Sequence, residues 1–300
     1  MMLHQHPKIA TTVDERANQV INLDNKQLSS VPENLSAMSG LQQLSLYNNC
    51  LTEFPAEIIS LQNLQVLNLS CNSIPSIPAT IGDLSTLRML DLGHNRIQNI
   101  PLEIGRLKQL EYLYISDNHL SDLPSTLAEL QHLAYLNVTD NQLEEIPSAI
   151  FSLSALKELR LYNNVMSAIP SAIGHLHQIQ ELHLMKNKIS SIAPEIAALK
   201  QLRVLDISDN CLNYLPNEFC VLPQLTDANF RFNQLSQLPE NFGALKNLHS
   251  LDLRANKLST LPESFSELSQ LKRLDLRWNN FAELPEVLAP FIARGCLVHI

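Results

Sequence analysis

The chain has 300 residues, 45% of them hydrophobic and 17% charged, with 21 Lys+Arg against 30 Asp+Glu and a formal net charge of −9. That acidic balance argues against general nucleic-acid binding, which needs a cationic field, and against adsorption on anionic lipid. No stretch approaches the length of a membrane span, and the opening "MMLHQHPKIATTVDERANQ" holds no apolar run long enough for a signal peptide.

In chain order, residues 1–19 read as an N-terminal cap segment, its polar part being "TTVDERANQ" at 11–19. One pattern then runs from residue 20 to residue 288. Ile21, Leu23, Leu28 and Pro32 set the frame of a first unit that has Lys26 where later units have Asn. From there Asn recurs every 23 residues: Asn49, Asn72, Asn95, Asn118, Asn141, Asn164, Asn187, Asn210, Asn233, Asn256 and Asn279. "LQQLSLYNNCL" (41–51) and "LKRLDLRWNNF" (271–281) are two distant copies of the surrounding motif. Six residues after each Asn comes Pro, as at Pro55, Pro101 and Pro262, except that Ala193 takes the slot in the eighth unit and Pro194 follows, which opens that loop to another route. Counting the Lys26 unit there are twelve. A period in this range marks a solenoid, in which each unit packs only on its neighbours, so one continuous array replaces the two domains that the length alone suggests.

Within a unit, Leu-x-Leu alternates with period two and reads as a short strand with one face buried, so Leu44 and Leu46, or Leu274 and Leu276, point inward. Each strand is followed by a return segment and an identical strand, which requires parallel pairing. The Pro marks the strand's end, and apolar residues at three-residue steps beyond it suit short 3₁₀ or α turns. The Asn amide, with two donors and an acceptor, is placed to satisfy backbone groups at the bend, so the Asn series reads as structural. Ten residues after the Asn the side chain is usually small, as at Gly82, Gly105, Ala128, Gly174 and Gly243, and Cys220 in that slot reads as a packed residue. The tail "LPEVLAPFIARGCLVHI" has a helical pattern, Gly295 at a stop position and a strand-like run at 296–300, and residues 289–300 read as a C-terminal cap.

The repeated unit resembles the leucine-rich repeat family, in the 23-residue Leu-Pro-x-x-Ile subclass found in many bacterial proteins and in the intracellular Ras-group-related proteins. The resemblance covers roughly residues 20–288. It implies an α/β right-handed solenoid, a horseshoe with a concave parallel β-sheet and short 3₁₀ or α segments on the convex side. Twelve strands at roughly 4.8 Å give an inner face about 55 Å long, ample for a protein partner. Extracellular relatives often carry cysteine-rich caps. Here five scattered cysteines (Cys50, Cys71, Cys211, Cys220 and Cys296) show no paired cluster, so the expectation is reduced thiols and a cytoplasmic compartment.

No P-loop, Rossmann glycine pattern or Gly-x-Ser-x-Gly occurs. His175 and His177 lack further ligand spacing, and His94, Asp117 and His119 are ordinary polar residues for a rim, so neither a metal nor a cofactor is expected. Information then sits on solvent-facing strand positions. In the middle units these read Met89, Tyr112 and Tyr135 in one row, Tyr114, Asn137, Arg160 and His183 in the next, and Tyr162 and Met185 in a third. Aromatics and Arg favour interface hot spots, while tyrosines also simply suit strands. Nearer the C-terminus Arg231, Arg254 and Arg277 share a row beside Trp278, with Asp252 and Asp275 placed to offset them, so a self-compensated ladder and an acidic-partner site stand side by side. The expected function is a non-enzymatic, monomeric protein-interaction scaffold gripping a protein on its concave face. The resemblance also leaves open a regulator of a small GTPase or kinase, or a secreted bacterial effector.

Overall fold

The computed structural model describes residues 19–300. The expected N-terminal cap, apart from Gln19, lies outside the described residues. The chain divides into two units, Met1–Gln142 and Leu143–Ile300.

In the first unit six three-residue strands pair in parallel: β1 (Val20–Asn22), β2 (Gln43–Ser45), β3 (Val66–Asn68), β4 (Met89–Asp91), β5 (Tyr112–Tyr114) and β6 (Tyr135–Asn137). Partners differ by 23 residues, so Met89 pairs with Tyr112 and Tyr112 with Tyr135. The strands are short because the residue just before each Asn turns left-handed. Asn48, Cys71, His94, Asp117 and Asp140 all have φ between 48° and 55°. Asn, Asp and His fill four of these five places because they tolerate that region best. The alternation places Leu44, Leu67, Leu90, Leu113 and Leu136 in the core at no more than 1% exposure.

The return limb is a 3₁₀ turn after each Pro, for example Ala56–Ser60 after Pro55 and Leu102–Arg106 after Pro101. Pro55 has φ −68°, which its ring dictates, and its carbonyl accepts the first turn bond from Ile58 N–H at 3.1 Å. The small slot has a direct cause. A Cβ on Gly105 would lie 2.6 Å from the Thr126 carbonyl oxygen of the next unit. Neighbouring limbs come that close because the side chain is missing.

The Asn series forms a ladder between repeats. Asn95 Oδ1 accepts from Ile74 N–H at 3.0 Å, and its Nδ2 donates to the carbonyls of Leu69, Leu92 and Gly93 at 3.1 Å each. Asn210 repeats this set with Ile189, Leu184, Ile207 and Ser208 at 2.9–3.1 Å. Each amide so ties its own bend to the preceding repeat.

In the second unit β7 (Glu158–Arg160), β9 (Glu181–His183), β11 (Val204–Asp206), β12 (Asp227–Asn229), β13 (Ser250–Asp252), β14 (Arg273–Asp275) and β15 (Leu297–His299) form a parallel ladder. On the return side β8 (Ala168–Ile169) pairs with β10 (Ser191–Ile192). Here the Ala193 expectation is corrected. The 3₁₀ turn Pro194–Ala198 starts 23 residues after Ser171–His175, so the loop keeps its route. Ala193 spends its N–H on the Ile169 carbonyl at 3.0 Å, a bond that Pro could not make.

The core of this unit is aromatic as well as aliphatic. Phe219, Phe230, Phe242, Phe265 and Phe291 are fully buried. Phe242 and Phe265 stack at 5.9 Å, and Phe265 meets Phe291 at 5.5 Å. The tail follows its sequence pattern. Helix α1 (Ala289–Ala293) ends at Gly295, φ 82°, with Gly295 N–H bonded to Ile292 O and Cys296 N–H to Phe291 O, a paired C-terminal capping motif.

Candidate protein-interaction surface

The exposed sheet face is set by the same alternation that buries the leucines. In the first unit it carries an aromatic cluster. Tyr114 and Tyr135 have ring centroids 4.8 Å apart, and Tyr112 and Tyr135 6.5 Å. Tyr112 is 42% exposed, and Met89 pairs with it across the sheet. Such ring pairs add about 0.5–1.5 kcal/mol beyond the area they bury.

The row four residues before each Asn shows a rule that sequence reading missed. Its usual occupant, Asn or Asp, accepts a hydrogen bond from the N–H two residues on and closes the strand's end. Asn68 does so for Ser70, Asp91 for Gly93, Asn137 for Thr139, Asp206 for Ser208, Asn229 for Arg231, Asp252 for Arg254 and Asp275 for Arg277, all at 2.9–3.2 Å. Tyr114 and Arg160 occupy the same row without a side-chain acceptor of that reach, and His183 points its Nε2 at Glu181 at 3.2 Å. These three residues give up a local structural bond that the fold uses elsewhere, which marks them apart from the scaffold.

The expected central patch divides between the units: Tyr112, Tyr114 and Tyr135 belong to the first, Arg160, Tyr162 and His183 to the second. In the second unit β7 and β9 bring together a charge quartet. Glu158 pairs with Glu181 across the sheet and Arg160 with His183. Arg160 Nε lies 2.6 Å from Glu158, and His183 Nε2 lies 3.2 Å from Glu181. Glu158, Glu181 and His183 offer ligand atoms all within 4.8 Å of one another, the one such trio among the described residues. The two glutamates sit 23 residues apart in one row, but charged residues at exposed strand positions look ordinary until the side chains are seen to converge. One of the three, Glu158, is already paired with the Arg160 cation. His94 and Asp117 also meet, Nδ1 to Oδ2 at 2.7 Å, both more than half exposed.

Nearer the C-terminus the arginine row is compensated as the alternating Asp positions suggested. Arg254 Nη2 bonds Asp252 and Arg277 Nη2 bonds Asp275, each at 2.6 Å, with a further ion pair from Arg254 to Asp275 at 3.4 Å. Burial acts to raise the Asp275 pKa. Hydrogen bonds from the Arg277 side chain and N–H, with the charges of Arg254 and Arg277, outweigh it and hold the carboxyl below its ordinary value. These groups, with Arg273 and His299, line a shallow depression of about 200 Å³. Arg231 stands apart, with Asp209 3.9 Å away. Trp278 is 66% exposed beside Arg277, whose guanidinium carbon lies 5.9 Å from the ring centroid.

The five cysteines are unpaired in this structure. Burial, with the nearby Glu218 charge, pushes the Cys220 thiol up to about 12, which suits a packed residue rather than a nucleophile. No helix among the described residues is long and apolar enough to cross a membrane.

A parallel ladder with 3₁₀ return turns and an amide ladder at a fixed period is an interaction-module architecture, and the comparisons agree. The sequence matches the family description "Leucine-rich repeat region" over residues 16–111 and 86–214, and "Leucine rich repeat" over 230–281. The chain belongs to the leucine-rich repeat family. Among solved structures it is similar to a leucine-rich repeat protein of Leptospira interrogans, with 33% identity, TM-score 0.90, and coverage of 96% of this chain and 74% of that one. It is also similar to the ectodomain of the Arabidopsis thaliana membrane receptor kinase GASSHO1/SCHENGEN3, solved in complex with CASPARIAN STRIP INTEGRITY FACTOR 2 (29% identity, TM-score 0.68, 90% of this chain and 37% of that one). A third is a chain of an octameric complex of Latrophilin 3, Unc5D and FLRT2 (26% identity, TM-score 0.73, 87% and 82%). No curated protein sequence matches the chain.

Proposed function

We propose that the protein is a monomeric, non-enzymatic scaffold that docks a protein partner on the exposed sheet face of its first unit, around Tyr112, Tyr114 and Tyr135. One observation carries this reading. Three tyrosines converge on solvent-facing positions, and Tyr114 stands where most other repeats have a strand-closing Asn or Asp. Arg160, Tyr162 and His183 are a separate candidate partner-facing set in the second unit. That similar chains were solved within complexes supports partner binding in general. The unbroken 23-residue period supports placement in the Leu-Pro-x-x-Ile subclass.

The test is affinity measured by calorimetry against a partner isolated by pull-down. Losing a buried aromatic anchor costs about 2 kcal/mol or more, roughly thirty-fold in affinity. The Tyr112→Ala, Tyr135→Ala variant should keep its circular dichroism and lose the partner. If it binds like wild type while Arg254→Glu, Arg277→Glu does not, the tyrosine surface is the wrong site.

The unpaired and scattered cysteines support a reducing, cytosolic compartment. Thiol titration of denatured, unreduced protein should then find all five free, and three or fewer would overturn that assignment.

A further inference from the structure

The positive-φ corner before the Asn is filled in six repeats by Asn48, His94, Asp117, Asp140, Asn163 and Asp209, types that accept this conformation, and in three more by the unbranched or small Cys71, Lys186 and Ala255. Phe232 and Trp278 are the two bulky aromatic occupants of this corner, with φ 53° and 60°. A bulky side chain in this region strains the backbone, and burial does not offset the strain here, because Phe232 is 44% and Trp278 66% exposed. Two repeats separate the pair, roughly 10 Å of sheet. Their ring centroids nonetheless approach to 6.2 Å, and the corner of the intervening repeat is filled by the small Ala255. An apolar bracket is thus held open to solvent.

The adjacent arginine row supplies the polar half. Arg254 and Arg277 each bond the Asp two residues earlier. At the matching place before Arg231 stands Asn229, whose Oδ1 accepts only the Arg231 backbone N–H and whose Nδ2 donates to Asp206 at 2.9 Å. Arg231 Nε is a buried donor with no hydrogen-bond partner among the described residues, its one ion pair being to Asp209 at 3.9 Å, beyond hydrogen-bond reach. The side chain is 38% exposed, which leaves its outer guanidinium edge free to turn toward a carboxylate.

We propose that Arg231, Phe232 and Trp278 form a docking corner for a protein segment that presents an acidic side chain next to a bulky aliphatic one. The carboxylate takes the Arg231 guanidinium, whose ion pair with Asp209 is too long for a hydrogen bond, and the aliphatic group covers the Phe232–Trp278 bracket. The chemistry is that of a short acidic-apolar peptide motif. This rests on the interaction-scaffold reading above and adds a second contact point to it.

Trp278 is the chain's single tryptophan, so its emission reports this corner without a label. The probe is the capped tetrapeptide Ac-Gly-Glu-Leu-Gly-NH2, titrated into the full chain. A saturable change with a roughly millimolar Kd is expected. Affinity should fall about tenfold when Gln replaces the peptide's Glu, and as far in Arg231→Gln protein. Phe232→Ala should weaken binding without changing the circular dichroism melt, and added salt should weaken it further. No saturable change, or equal binding of the Gln peptide to wild-type protein, overturns the proposal whatever the variants do. The experiment needs no isolated partner. Its failure therefore leaves the tyrosine surface standing, and a failed tyrosine test leaves the corner standing.

Discussion

The two units share a scaffold and differ in what they display and what they bury. The first unit has a core of Leu, Ile and Val with one phenyl, Phe54, at its margin, and its exposed face gathers three tyrosines. The second buries five phenylalanines, and its exposed face is laid out in paired charges, from Glu158–Arg160 to Asp275–Arg277. The lesson is that backbone register and surface chemistry are separable. The amide ladder, the proline and the small slot recur in both units and make the same bonds, while the solvent-facing positions change freely from repeat to repeat.

The largest effect that would sharpen this contrast lies in the cores. Phe265 touches rings on both sides, so Phe265→Ala should destabilise by about 3–5 kcal/mol. Leu113→Ala in the aliphatic core of the first unit should cost about 2–5 kcal/mol. Denaturant unfolding that reports a Phe265→Ala cost under about 1 kcal/mol would mean the phenyl stack is not a tight core.

The ladder should erase the contrast. Asn95→Ala and Asn210→Ala each remove four hydrogen bonds to buried backbone, one accepted and three donated. Each should cost about 1–3 kcal/mol, the desolvation left on unpaired backbone groups. Equal losses in the two units are expected. A melt unchanged in either variant would break the claim of a common scaffold.

The smallest effect is electrostatic and belongs to the second unit alone. The Asp275 carboxyl is held below its ordinary value, so its ion pairs add stability that is complete above the ordinary carboxylate range and fades as pH falls through the lowered folded value. Asp275→Asn should therefore lower Tm at neutral pH, modestly because the pair is partly solvated, and the gap from wild type should close below about pH 4. A gap that grew on acidification would reverse the sign of this assignment.

Most of the scaffold was legible because it repeats. Leu44, Leu113 and Leu274 are buried, as period-two alternation requires, and the Asn amides bond the bends as their donor count suggested. Ala193 was misleading. Loss of the proline looked like licence for a new route, but a free N–H let the loop bond Ile169 and keep its place. The surface was legible only as rows. That Tyr114, Arg160 and His183 forgo a strand-closing bond could not be seen until the geometry of Asn68, Asp91 and Asp252 revealed that bond. That Glu158, Glu181 and His183 bring their polar atoms within 4.8 Å of one another was visible only in the structure.

The sequence by itself determined the period, the parallel ladder, the buried face and the structural role of the asparagines, because each follows from spacing and local chemistry repeated eleven times. Only the tertiary structure decided which exposed side chains meet. Tyr114 against Tyr135, Arg254 between Asp252 and Asp275, and Phe232 approaching Trp278 depend on side-chain directions across repeats, which no single unit encodes. The physical reason is that burial constrains a leucine to one direction, while a solvent-facing side chain is directed only by neighbours that arrive from other turns of the solenoid.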